Sequence, residues 1–222
     1  MIYILNIETA TKQCSVSVSK NNELIALREL AEENFNHAEK LHVFIEEVIA
    51  EAQIKLADLN AVSVSKGPGS YTGLRIGVST AKGLCYALGI PLIAIDTLQI
   101  LAKQISITEG IIQPMIDARR MEVFTASYDS NYELIDKTTA LVLDENSFDS
   151  IKGKIYFIGD GAEKTASILK EERFVFYSHL KYPSAKEMVD LSYDAFLNEK
   201  FEDVAYFEPY YLKDFMLTTK KK

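Results

Sequence analysis

The chain of 222 residues carries 24 Lys and Arg against 32 Asp and Glu, a formal net charge of −8, with 48% apolar residues; this composition excludes a disordered chain. A pI near 5.0 excludes a protein that holds nucleic acid chiefly through its own surface charge. No apolar run approaches the ~18–20 residues of a membrane helix, residues 1–6 form no basic leader, and Cys14 and Cys85 make no CxxC motif, so a reduced cytoplasm is the expected setting.

Hydrophobic period assigns the elements in order. Residues 2–7 are an apolar, β-branched run suited to a buried central strand. Residues 14–19 alternate strictly, with one apolar face and one face of small polar groups. Residues 20–23 are a turn and 24–27 a third strand, so the chain opens as an antiparallel meander. Asn36 reads as an N-cap with Glu39 at the third helical position. Ala38, Leu41, Ile45, Val48, Ile49 and Ala52 then recur down one helical face. Residues 61–65 are a strand, 72–88 a helix stopped by Gly89 and Pro91, 91–95 a strand, and 97–103 the start of a third helix. The pattern restarts near residue 110. Residues 111–116, 121–128 and 134–143 are three strands, 154–158 a fourth, 162–169 a helix and 173–177 a strand. Residues 184–196 are a last helix, with Ser184 as N-cap and Glu187 three positions on. Three strands followed by alternating helix and strand thus occur twice, with negligible side-chain identity between the halves. Each half is expected to form a mixed sheet with helical crossovers, leaving a cleft between two lobes.

Gly67, Pro68, Gly69, Ser70, Gly73 and Gly77 stand between a strand and a helix, where free N–H groups and the helix dipole favour an anion. One reading is a phosphate cradle. The segment lacks the Gly-Lys-Ser ending of a P-loop, and its glycines are one residue out of register for the dinucleotide fingerprint. The other reading is packing. Gly73, Gly77 and Ala81 repeat every four residues and make a smooth stripe on the helix. Gly inside a helix costs roughly 0.5–1 kcal/mol relative to Ala, so two of them need a compensating contact, within the chain or with a partner. Val43 and Phe44, apolar groups off the core stripe of the first helix, favour a partner chain.

Catalytic constellations are hard to find. His37 and His42 lie about 140° apart around a helix and cannot share a metal as an i, i+4 pair does. His179 has no neighbouring Cys or His. Glu8 and Thr9 end the first strand, Asp117 precedes Arg119 and Arg120, and Gly159, Asp160 and Gly161 join a strand to a helix. Each is a place where a ligand sits or where the chain simply turns. No nucleophile paired with a base is recognisable. The basic residues 220–222 read as a solvated tail.

Taken in order, Glu8 and Thr9, the run from Asn36 to Leu41, the glycine-rich segment, Asp117 to Arg120 and Gly159 to Glu163 closely resemble the TsaB (YeaZ) family of bacterial tRNA threonylcarbamoyladenosine biosynthesis. The likeness extends over essentially the whole chain. It implies an α/β fold of two ribonuclease-H-like lobes, the actin-like, Hsp70-like, sugar-kinase (ASKHA) fold, with an N-terminal lobe over 1–108 and a C-terminal lobe over 109–222. It also implies a non-catalytic paralogue of the threonylcarbamoyltransferase TsaD. Where TsaD carries an Asp-Glu pair this chain has Lys12 and Gln13, and where TsaD has two metal-binding histidines it has Thr97 and Leu101. Neither Thr nor Leu replaces a nitrogen ligand, so no catalytic residue, metal or cofactor is expected.

The implied role is a scaffold that binds TsaD and supports threonylcarbamoyl transfer to the adenosine beside the anticodon in tRNAs reading ANN codons. The larger complex includes the ATPase TsaE. A homodimer is expected when the chain is alone, and tRNA is met through the complex, away from any membrane. The expected partner face joins Ala38, Leu41 and Ile45 of the first helix to Gly73, Gly77 and Ala81 of the second. Glu8, Thr9, Gly69, Ser70, Gly159 and Gly161 would surround a vestigial nucleotide site. In the alternative, an ATP-binding or ATP-hydrolysing enzyme of the same fold, these six would hold the phosphates. Pro209, Tyr210, Tyr211, Leu212 and Lys213 resemble a terminal motif of the family, with Lys213 where Arg is more usual, and carry no assigned role.

Overall fold

A computed structural model describes residues 1–31 and 37–213; the N-cap expected at Asn36 and the basic residues 220–222 lie outside them. The first half builds β1 (Tyr3–Glu8), β2 (Gln13–Lys20), β3 (Glu23–Ala31), α1 (His37–Glu51), β4 (Ala61–Gly67), α2 (Tyr71–Leu88), β5 (Leu92–Asp96) and α3 (Thr97–Ala102). The second builds β6 (Ile111–Asp117), β7 (Glu122–Tyr128), β8 (Leu134–Val142), β9 (Ile155–Ile158), α4 (Ala162–Ile168), β10 (Phe174–Tyr177) and α5 (Met188–Leu197). One sheet runs β3-β2-β1-β4-β5 and the other β10-β9-β6-β7-β8, which from its far edge is the same arrangement. β1 pairs antiparallel with β2 and parallel with β4; β6 does the same with β7 and β9. The repeat read from the sequence is thus a repeat of topology, and each half is a ribonuclease-H-like sheet of an actin-like α/β fold.

Local chemistry sets the ends of α2. The Ser70 hydroxyl accepts the Gly73 N–H at 3.3 Å, and Gly89 closes the helix at φ 66°, its N–H donating to the Cys85 carbonyl. These are a side-chain N-cap and a left-handed C-terminal glycine. The last helix is shorter than expected and starts at Met188. Ser184 is not its N-cap: the Ser184 hydroxyl donates to Glu29 at 2.7 Å, and its carbonyl accepts the Glu187 N–H in the turn that precedes α5.

The first sheet is covered on both faces. Leu5, Ile7, Val16, Val18, Val62 and Val64 pack with α1 and α2, while Ile4, Ala61, Ile93 and Ile95 pack with Ala185, Met188 and Ala195. The small polar face of β2 is therefore buried too, and Ser15, Ser17 and Ser19 are all 0% exposed. Ser15 Oγ accepts the Ala185 N–H at 2.9 Å and Ser17 Oγ donates to the Ala185 carbonyl at 2.8 Å. Small hydroxyls let the covering segment approach and also supply its hydrogen bonds. In exchange, α3 from the first half covers the second sheet, where Leu98, Leu101 and Ala102 meet Ile112, Ile116, Tyr128 and Ile158. A division of the chain at 108/109 separates the sheets but not these layers. On its other face the second sheet packs Met115, Val123, Phe157, Ala162 and Leu169 into one cluster, in which Phe157 stacks on Phe176 at 4.9 Å.

The stripe of Gly73, Gly77 and Ala81 is used inside the chain. A Cβ at Gly73 would lie 2.0 Å from the Thr9 carbonyl oxygen, and one at Gly77 would lie 2.2 Å from Thr9 Oγ1. Thr9 Oγ1 itself donates to the Gly73 carbonyl at 2.8 Å. Ala81 and Leu41 are fully buried and Ile45 nearly so. These five residues, expected at a partner face, are core residues: the end of β1 makes the contact that the two helical glycines require, and Leu41, Ile45 and Ala81 join the hydrophobic cluster between the first sheet, α1 and α2. From that set Ala38 is exposed. Phe44 is buried as well, whereas Val43 is 46% exposed.

Gly77→Ala is expected to destabilise the fold by about 1–3 kcal/mol, the range of core overpacking. This outweighs the roughly 0.5–1 kcal/mol that Ala gains over Gly within a helix. Urea unfolding of Gly77→Ala beside Gly77→Ala/Thr9→Ala checks it: the second variant, lacking the obstructing hydroxyl, should recover part of the loss.

Candidate functional site

In sheets with parallel central strands, ligands collect at the carboxyl ends of those strands. Here these are the ends of β1 and β4 in one lobe and of β6 and β9 in the other. The segments that leave them are residues 9–12, 68–70, 118–121 and 159–161. Lys12 of the first lobe acts on the carboxyl of Asp160 in the second, so the segments after β1 and β9 face each other across a groove between the lobes. All six residues expected at a nucleotide site lie on these strand ends.

Their polar groups, however, turn inward. Glu8 is 0% exposed, and its Oε1 accepts the Ala10 N–H at 2.5 Å. Its Oε2 has no hydrogen-bond partner. Burial pushes the Glu8 carboxyl up to about 7, partly opposed by the Ala10 N–H. Thr9 spends its hydroxyl on Gly73. The Ser70 N–H donates to the Ala10 carbonyl at 2.6 Å, the Gly67 N–H to Thr97 Oγ1 at 3.1 Å, and Gly69 sits so near Ala10 that a Cβ would lie 2.3 Å from its carbonyl oxygen.

The second lobe repeats the design. The Gly161 N–H donates to the Met115 carbonyl at 3.1 Å and the Gly159 N–H to Leu180 at 3.0 Å. Gly159 holds φ +105°, and a Cβ there would lie 2.1 Å from the Met115 carbonyl oxygen. The glycine-rich turn thus spends the Gly67 and Ser70 N–H groups within the chain. Its glycines let each crossover pass beneath the end of the central strand, and several of its N–H groups are consumed on the way.

What faces the groove is a set of charged side chains that the sequence left unassembled. Asp160 Oδ1 accepts the Asp117 N–H at 2.8 Å. Burial raises the Asp160 carboxyl to about 6, opposed first by the Asp117 N–H and then by Lys164 and Lys12, while the Asp117 charge adds to the rise. Lys164 bonds Asp117 Oδ1 at 3.1 Å and the carbonyls of Arg120 and Glu122 at 2.9 and 2.6 Å. Arg119 and Arg120 hold φ 69° and 51°, the left-handed region that non-glycine residues rarely adopt, and both are exposed. His37, at the start of α1, is buried with Nε2 2.7 Å from the Thr11 carbonyl, so it fixes the loop after β1. The run from Asn36 to Glu39 marked that position without revealing its partner.

At the two places where TsaD histidines would stand, Thr97 accepts the Gly67 N–H and Leu101 is 0% exposed in the core. Gln13 Nε2 donates to the Pro183 carbonyl at 3.0 Å. Among the described residues no three His, Cys, Asp or Glu side chains are grouped to hold a metal ion. A cavity of about 390 Å³ lies at the carboxyl ends of β4 and β5, lined by Lys66, Asp96, Gln99, Asp194, Lys200 and Glu202 among others. Glu8 has a carboxyl near neutrality, a property shared with catalytic acids; with no exposed surface it offers a substrate no access.

A carboxyl raised by burial is neutral in the fold where the unfolded chain has ionised. The folded state then holds the extra proton between pH 4.5 and about 7, so stability falls as pH rises through that window, by an amount on the order of 3 kcal/mol. Glu8→Gln removes the ionisation. The variant should gain melting temperature over the parent at pH 8 and lose that advantage near pH 4.5, as thermal unfolding at both values will read.

Comparison with known proteins places this geometry. Residues 29–220 match the family model described as TsaD, tRNA N6-adenosine threonylcarbamoyltransferase. The tRNA threonylcarbamoyladenosine biosynthesis protein TsaB of Escherichia coli (strain K12) is 29% identical over 95% of this chain and 94% of its own. TsaB of Buchnera aphidicola subsp. Schizaphis graminum (strain Sg) is 33% identical over 84% of this chain and 90% of its own. Among solved structures, YeaZ from Pseudomonas aeruginosa superposes with a TM-score of 0.84 at 23% identity, covering 96% of this chain and all of that one.

Proposed function

This chain belongs to the TsaB (YeaZ) family, and we propose that it serves tRNA threonylcarbamoyladenosine biosynthesis as a non-catalytic subunit that binds TsaD. The observation that carries this reading is the inward use of the groove: amides and hydroxyls that would meet a nucleotide at Thr9, Gly67, Ser70, Gly159 and Gly161 are bonded within the chain. Thr97 and Leu101 are likewise committed to packing. A molecule whose groove groups are bonded to each other contributes surface. In the proposed complex TsaD performs the transfer, TsaE joins the assembly, and tRNA is met through the assembly, in keeping with a net charge of −8.

The proposed partner face is placed on residues that the corrected burial leaves exposed. With the glycine stripe in the core, the exposed residues of α1 and α2 remain, Ala38 on one flank of α1, Val43 on the other, and Tyr86 on α2; Tyr86 is 86% exposed. Because a stable contact needs about 800 Å² per partner, both helices must contribute. The same face supports a homodimer when the chain is alone, and the two assemblies then compete. The site of action is the cytoplasm.

Reconstitution of tRNA modification from purified components, with and without this chain, tests the role; an equal rate without it overturns the proposal. Val43→Glu and Tyr86→Glu should each weaken co-purification with TsaD at least tenfold, the cost of roughly 1.4 kcal/mol or more at an interface, while circular dichroism and melting stay at parental values. Undiminished co-purification of both variants would reject this face. Calorimetry with ATP and magnesium on the isolated chain checks the enzyme alternative, for which tight binding with turnover is required.

A further inference from the structure

We propose that residues 202–213, which include the terminal motif left without a role above, form a latch that fixes the two lobes relative to each other. The segment begins anchored on the first lobe. The Glu202 N–H donates to the Leu92 carbonyl at 2.9 Å, forming a bridge to β5. Lys82 Nζ donates to the carbonyls of Ala205 and Phe207 at 3.2 and 2.8 Å, and Val204 and Phe207 pack against the core under α1 and α2.

Beyond Phe207 the hold changes in kind. The Tyr210 N–H donates to the Lys66 carbonyl at 2.7 Å. Its own carbonyl crosses β4 so closely that a Cβ at Gly67, where φ is +111°, would lie 2.6 Å from the oxygen. That crossing gives Gly67 a reason to be glycine apart from any phosphate. The Tyr211 ring lies 4.9 Å from that of Tyr71, its hydroxyl accepts from Arg75 Nε at 3.3 Å, and the Arg75 guanidinium stacks over Tyr71 at 4.1 Å. Lys213 then reaches the second lobe and pairs with Glu122, the first residue of β7.

One segment therefore joins β5, β4 and α2 of the first lobe to β7 of the second. Its far part is held by a main-chain hydrogen bond, a half-exposed aromatic pair and a surface ion pair, each individually weak. The anchor at Val204 and Phe207 keeps it in place when that part lets go, so it can open without unfolding either lobe. Since Arg75 and Tyr71 belong to α2, release would also be felt on the face proposed to meet TsaD; that consequence alone rests on the proposed function.

The Tyr210 amide reports attachment directly. In the full chain, Lys213→Glu and Tyr211→Ala should each speed its hydrogen exchange about tenfold, as expected when a local opening replaces a held contact. The swapped pair Lys213→Glu/Glu122→Lys should restore slow exchange, which a general loss of folding would not do. Nitroxides on Asn22→Cys and Glu145→Cys, both exposed while Cys14 and Cys85 are buried, read the lobes when the labelled chain is diluted with unlabelled protein. Their distance distribution should broaden in Tyr211→Ala/Lys213→Glu. Slow Tyr210 exchange in both single variants, or an unchanged distribution in the doubly released one, overturns the latch. Both readings use the chain by itself, so they stand or fall apart from TsaD binding.

Discussion

The close approach between the end of β1 and the first turns of α2 governs much of what surrounds it. The backbone and hydroxyl of Thr9 occupy space that any side chain at Gly73 or Gly77 would need. With α2 drawn in, the turn before it tucks under Ala10, and the Ser70 N–H finds its acceptor there. The same descent leaves the opposite side of α2 facing outward. One steric demand thus fixes the fate of the glycine-rich turn, the register of the helix and the identity of its free face. The second lobe meets the same demand with Gly159 and Gly161 against Met115, because a crossover that passes beneath a central strand needs room in either sheet.

A second consequence concerns how the lobes stay together. α5 covers the first sheet and α3 the second, so each half completes the other's core. The contact between α5's approach segment and β2 is unusually polar for a buried layer. Ser15 and Ser17 bond the backbone of Ala185, and Asn6 Nδ2 donates to Ser17 Oγ at 3.2 Å. Buried polar groups of this kind favour one arrangement over its neighbours, since a shifted segment would leave several of them unsatisfied. The Lys213–Glu122 pair and the aromatic contacts of Tyr211 act on the outside of this exchanged core and at much lower strength.

The groove that results is charged but occupied by its own chain. Asp160, Asp117 and Lys164 satisfy one another, and Glu8 is sealed in. Preorganised groups aimed at an incoming substrate are what such a site requires for catalysis, and here the aim is inward. This inward aim is what the proposed role as a contributor of surface and rigidity rests on.

Much of the fold was legible in the residues. Alternation and helical spacing placed the strands and helices to within a few positions, and the repeated order of elements already specified two similar sheets, because period depends on which residues share a face. The same signal is silent about what covers that face. It grouped Gly73, Gly77 and Ala81 correctly, yet whether Thr9 or another molecule lay against them depended on how two distant segments meet. Likewise Glu8, Ser70 and Gly159 were recognisable as strand-end residues, while the direction of their hydrogen bonds was not, and neither Lys12 with Asp160 nor Lys213 with Glu122 is adjacent in sequence. The sequence by itself determined the elements, their order and the family; the tertiary structure alone decided which glycines are core, which polar groups are spent and which faces remain free, since those follow from distances between residues that the chain brings together only on folding.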